Sequence, residues 1–223
     1  MRKMIFLGWL ALFLAPAVCA QEKVEGPVWN VGDKWVFERE GPMEVTGRDA
    51  QCYAVQFSGG IFRKDASGIA LFERSTLNVK YMLEGDQRKE YRGFRRKILN
   101  FPLTLGKQWK DLYQHDELAR GAVDWGSGGV LVIEFQETFR VLGWEEVEVR
   151  AGKFKAIKLG YKIQTSRRGG VGWISLGESK AWYWYSPEVK NFVKCQYEKG
   201  YAEGTGDSGA RGDWELVSYE LTK

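Results

Sequence analysis

Residues 147–163 read VEVRAGKFKAIKLGYKI, and this stretch decides the class of the fold. Val147 and Val149 alternate with Glu148 and Arg150, the period of two of a strand with one buried face. Ala151-Gly152 offers a turn. Beyond it, Ile157, Leu159, Tyr161 and Ile163 alternate with Lys158, Gly160 and Lys162. Phe154 and Ala156 fall out of phase with that set, which predicts a bulge near Ala156. A partner stretch, residues 180–197, reads KAWYWYSPEVKNFVKCQY. There Val193, Cys195 and Tyr197 alternate with Lys194 and Gln196. Ser186-Pro187 breaks the run, because proline fixes φ and donates nothing to a ladder.

Working outward, the start of the chain reads differently. Arg2 and Lys3 precede an apolar run from Met4 to about Ala17, and Val18 and Ala20 occupy the −3 and −1 places of a small-residue cleavage site. This predicts a secretory signal peptide over residues 1–20, cleaved after Ala20, and a periplasmic or secreted protein. Cys19 raises a lipoprotein alternative, but Pro16-Ala17-Val18 makes a poor lipobox. No second apolar stretch is long enough to span a bilayer as a helix. Cleavage leaves 203 of the 223 residues, enough for one sizeable β domain over 21–223. The 33 basic residues fall to 31 when Arg2 and Lys3 leave, against 29 acidic ones. That near-balance gives no electrostatic case for nucleic acid.

The rest of the chain repeats short alternating runs between glycine turns. Val31-Gly32-Asp33-Lys34-Trp35 opens one series and Leu105-Gly106-Lys107-Gln108-Trp109 opens another. In each, an apolar residue, glycine and two polar residues precede tryptophan. The echo predicts two tandem repeats, residues 27–99 and 100–223, with Val45 and Val149 as matching landmarks downstream. The alternative is that short strands and glycine turns resemble one another by composition alone. The second copy carries an extra arm over 116–142. Residues 107–119 are the one helix candidate, with Trp109 and Leu112 on one face. Residues 200–212 form a glycine-rich loop, and 214–221 a final strand. The expected fold is all-β, an antiparallel sandwich or a strongly curved sheet.

No motif carries chemistry. Gly206-Asp207-Ser208-Gly209 looks like the nucleophile loop of trypsin-like proteases, but too little chain follows it to complete that fold. His115 is the single histidine, and a triad or zinc site needs placed partners. Glu145 and Glu146 adjoin, so on a strand they face opposite ways. Arg211-Gly212-Asp213 is a three-letter adhesion match that arises readily by chance. The expectation is therefore no enzyme, no metal and no cofactor.

Binding features are better represented. Trp182-Tyr183-Trp184-Tyr185 puts a tryptophan pair on one face and a tyrosine pair on the other. One pair covers the core, and the other is a candidate platform for a sugar or an acyl chain. Residues 88–97 carry six cations against one acid, and residues 150–168 carry seven and no acid. Arg92, Arg95, Arg96, Lys153 and Lys155 are the candidate contacts to an anionic surface. Cys52 and Cys195 are either a disulfide, which export permits, or two buried thiols.

Residues 146–156, EVEVRAGKFKA, and 184–194, WYSPEVKNFVK, resemble a signature of exported bacterial proteins of unknown function, V-x-V-P-A-G-x-F followed by W-Y-[SA]-P-x-V-G-x-V-K. Residues 101–109, FPLTLGKQW, and the closing WELVSYEL are similar to companion segments. Arg150 replaces the proline, and Asn191 stands where glycine is usual. The resemblance implies an exported antiparallel β fold and no catalytic residues. A more distant analogy is to periplasmic lipoprotein and lipid carriers. The expected function is a non-catalytic binding protein for an envelope lipid, glycan or protein. A structural module with no small ligand is the alternative, and a hydrolase the second.

Overall fold

Alternating side chains become twelve strands among the described residues. The computed structural model describes residues 22–39, 41–58, 67–90, 98–118, 130–169, 172–198 and 212–223, and among these there is no helix. The strands are β1 (Lys34–Phe37), β2 (Gly41–Arg48), β3 (Cys52–Ser58), β4 (Ser67–Glu73), β5 (Val79–Glu84) and β6 (Gln87–Glu90), followed by β7 (Gln108–Leu118), β8 (Val130–Val149), β9 (Gly152–Gly169), β10 (Gly172–Ser186), β11 (Asn191–Tyr197) and β12 (Trp214–Glu220). They form one antiparallel sheet in the order β6-β5-β4-β3-β2-β1-β12-β11-β10-β9-β8-β7. Each half is a meander, and β1 joins them by pairing with β12, Lys34 opposite Glu220.

Two local expectations are corrected. Residues 107–119 do not form a helix; β7 pairs with β8 from Gln108–Arg140 to Leu118–Val130. Trp109 and Tyr113 are buried while Lys110, Leu112 and Gln114 are exposed, a period of two. A ladder partner overrides the weak helical spacing of two apolar residues. The bulge expected near Ala156 lies on the facing strand, where the register shifts between Val141 and Gly143. Leu142 is the extra residue, and it leans over Gly160: a Cβ there would sit 3.2 Å from Leu142 Cδ1. Residues 1–20, with Cys19, lie outside the described residues.

The two halves carry the same irregularities in the same order. Gly32 and Gly106 both have positive φ, +94° and +80°. Gly32 N–H donates to Val45 O, and Val45 N–H to Asp33 O; Gly106 N–H donates to Val141 O, and Val141 N–H to Lys107 O. One residue later comes a bulge in each half, between Val45 and Gly47 and between Val141 and Gly143. A second pair of bulges falls between Leu71 and Phe72 and between Trp184 and Tyr185. The following turns each hold one left-handed residue, Leu77 at φ 54° and Lys190 at φ 58°. In this register Val45 matches Val141, not Val149. On the same register β7 to β10 each run about seven residues past their counterparts β1 to β4, and they do so at a common end. These extensions make a four-stranded arm.

The inner face of the sheet is filled by the chain itself. Residues 22–30 and 98–107 cross it, joined by a bridge between Val24 and Leu103. Val24, Trp29, Leu99 and Leu103 are all buried. The Trp29 ring meets those of Trp35, Tyr53 and Phe72, centroids 5.0 to 5.5 Å away. Its indole N–H donates to Lys190 O at 2.9 Å. Phe72 is on β4, and Lys190 lies in the turn between β10 and β11. Five or more strand spacings separate them, roughly 24 Å across a flat sheet. One indole reaches both, so the sheet is strongly curved; this is the open curved sheet rather than the sandwich.

Candidate functional site

The aromatic run on β10 splits as its period requires. Tyr183 and Tyr185 turn inward and are buried. Phe101, from the crossing segment, packs edge-on against Tyr185 at 5.5 Å. The Tyr185 hydroxyl is buried with no hydrogen-bond partner among the described residues, and burial pushes its pKa far up. Trp184 lies on the other face, directly across from Lys158 on β9 and Lys194 on β11. Their ammonium groups stand 4.8 and 5.3 Å from its ring centroid. The indole N–H donates to Glu145 Oε2 at 2.8 Å, and Lys158 reaches Glu145 Oε1 at 3.1 Å. The indole hydrogen bond, with Lys158 beside it, holds the Glu145 carboxyl below its ordinary pKa against the opposing effect of burial. Trp184 is only 5% exposed. The cation–π positions an incoming sugar or headgroup would compete for are filled by the protein's own lysines. Trp182 is half-buried.

The basic run on β9 is neutralised from neighbouring segments, which its own sequence does not reveal. Lys153 pairs with Glu148, Lys155 with Glu22, Lys158 with Glu145 and Lys162 with Glu178. Arg150 reaches both Glu38 and Glu215. Lys155 also lies over the Trp144 ring at 4.7 Å. Arg167 and Arg168 are the exception: both are exposed, and neither has an ion-pair or hydrogen-bond partner among the described residues. Arg92, Arg95 and Arg96 lie outside the described residues.

Other sequence candidates are scattered. Cys52 on β3 and Cys195 on β11 are both buried, and no disulfide joins them. His115 stands in mid-strand on β7, its backbone opposite Ile133. Ser208 and Arg211 lie outside the described residues. Among the described residues no three His, Cys, Asp or Glu side chains converge as a metal site.

Two buried carboxylates escaped the sequence reading. Asp33 is fully buried at the start of β1. Its Oδ1 accepts the Thr222 N–H and hydroxyl at 2.8 and 2.9 Å; its Oδ2 accepts the Asn30 N–H at 2.9 Å and Lys190 Nζ at 3.0 Å. Burial pushes its pKa up, but those hydrogen bonds outweigh it and hold the carboxyl below the ordinary 3.8. Glu137 is fully buried on β8 and accepts the Tyr161 and Tyr113 hydroxyls at 2.6 and 3.3 Å. The available signal was phase, since Glu137 falls on the same side of its strand as Phe135, Phe139 and Val141. An open cleft of about 400 Å³ lies between the first segment and the 187–190 turn, lined by Glu25, Pro27, Val28, Asn30, Pro187 and Lys190, with Tyr185 at its base.

No family profile and no curated protein matches this chain. Two solved structures are similar in outline. One is a Bacteroides fragilis protein described as exported with a YmcC-like fold: 13% identity, TM-score 0.40, covering 88% of this chain and 99% of that one. The other is a Parabacteroides distasonis protein described as a lipoprotein: 11% identity, TM-score 0.38, covering 90% of this chain and 100% of that one. Likenesses this loose carry nothing about what the chain does.

Proposed function

We propose that this chain is a non-catalytic, exported β protein that binds a component of the cell envelope through its outer surface. The observation that carries this reading is the filled interior. A lipid carrier of curved-sheet type holds its ligand against the inner face. Here Val24, Trp29, Leu99 and Leu103 occupy that face. The absence of chemistry is supported by how the notable carboxylates are used. Asp33 ties together chain segments, Glu137 anchors two tyrosines, and Glu145 holds an indole. They lie at separate places. Export is supported by the signal-peptide pattern of residues 1–20.

The test has two parts. The purified protein mixed with a fluorescent fatty acid is expected to give no saturable uptake; one molecule taken up per chain would sink the surface-acting reading. Binding to separated envelope lipid, glycan and protein fractions is expected for at least one of the three. Failure with all three would sink the envelope assignment.

A further inference from the structure

The arm built by β7 to β10 ends, on its β9–β10 side, in a ribbon with an unusual surface. Trp173, Ile174 and Leu176 are 45%, 47% and 36% exposed, three large apolar side chains within four residues. The ladder sets Trp173 directly across from Arg168 and Ile174 directly across from Arg167. Adjacent residues on a strand face opposite ways. Each face of the ribbon therefore presents one guanidinium beside one large apolar group. Every cation nearer the body on β9 has a carboxylate partner, whereas Arg167 and Arg168 have none among the described residues.

We propose that this ribbon anchors the protein to an anionic phospholipid surface. Trp173, Ile174 and Leu176 enter the headgroup–acyl boundary, and Arg167 and Arg168 meet the phosphates. The charge argues for this occupant. Indole rings favour the bilayer interface, and a guanidinium matches phosphate oxygens with paired N–H donors. Insertion removes the apolar side chains from water while the cations stay at headgroup level. The same strand spends its other cations on internal pairs, so two without partners among the described residues, beside an exposed tryptophan–isoleucine pair, are the part left for an external anion. The arm's extra length, about seven residues or roughly 23 Å, lets the tip reach a surface while the body stands clear.

The proposal rests on the surface-acting reading above and names its partner. The test is co-sedimentation of the purified protein with vesicles of phosphatidylcholine alone and of phosphatidylcholine mixed with phosphatidylglycerol, at low and high salt. Binding is expected only with phosphatidylglycerol present, and weaker in high salt. Replacing both Arg167→Gln and Arg168→Gln is expected to lower affinity about twenty-five-fold, about fivefold per arginine, and to remove most of the salt dependence. Trp173→Ser with Ile174→Ser is expected to lower it about tenfold or more. These side chains are exposed, so thermal midpoints stay at the wild-type value. No vesicle binding by the wild type overturns the proposal. Undiminished binding by both double variants also overturns it, while leaving the envelope reading standing. A dimer in solution that Trp173→Ser dissociates would make the tip a protein interface instead. Fatty-acid uptake strikes the surface-acting reading by itself, whatever the vesicles do.

Discussion

Asp33 links three parts of the chain that are far apart in sequence: its own turn from Asn30 into β1, Lys190 and Thr222. Removing one partner of a buried, hydrogen-bonded charge pair leaves the other uncompensated, so Asp33→Ala is expected to cost about 3 to 5 kcal/mol in denaturant unfolding. The sign with pH follows from its lowered pKa. The contribution is complete above the unfolded value of 3.8 and is lost as pH falls through the lower folded value. The gap in urea midpoint between wild type and Asp33→Asn should therefore narrow from pH 7 into that acid window. A gap that stays constant would assign the acid limb to other carboxylates. Little of this was legible beforehand. Asp33 reads as a turn residue before a strand, and nothing local says that Thr222 and Lys190 converge on it. Glu137 was legible in principle, because an acid in the apolar phase of a strand is either an error of register or a buried, bonded group.

Among the elements, the strands of the second half were read well from alternation, and the failures are instructive. Residues 107–119 contain apolar side chains at both helical and strand spacing, and the ladder with β8 decides between them. The out-of-phase pair Phe154 and Ala156 marks no bulge in its own strand, where Phe154, Ala156 and Ile157 pair in unbroken register with Val147, Glu145 and Trp144. The irregularity of this ladder sits on the facing strand instead, where Leu142 is the extra residue between the partners of Leu159 and Lys158. That placement makes a specific demand on Gly160. A methyl group there meets Leu142 at 3.2 Å, and Leu142, exposed at its outer side, must shift by a few tenths of an ångström, so Gly160→Ala is expected to cost about 0.5 to 1.5 kcal/mol. Adding Leu142→Ala should recover part of the loss. Thermal midpoints of the two single variants and the double variant check this, and simple additivity would refute the contact as the cause. The basic character of β9 misled for a related reason: its acids come from neighbouring segments, and strand pairing is invisible in a linear count.

For the molecule as a whole, the all-β class and the strong curvature were foreseeable in outline, while the filled inner face was not. Residues 22–30 belong to none of the strands, yet Trp29 sits between the two halves of the sheet. Trp29→Ala is expected to cost about 3 to 5 kcal/mol and to lower the unfolding midpoint of the entire sheet in one transition. Loosening of the first half alone would show that the indole does not couple the halves. The β1–β12 seam has a further consequence. Each six-strand meander closes through near neighbours in sequence, but the junction needs Lys34 to find Glu220. Contacts of such wide separation form slowly. The first meander can collapse as it is synthesised, but the strand pairing that sets its register against the second cannot form until residues 214–220 are present. The last ribbon of the chain therefore sets the moment at which the sheet becomes continuous.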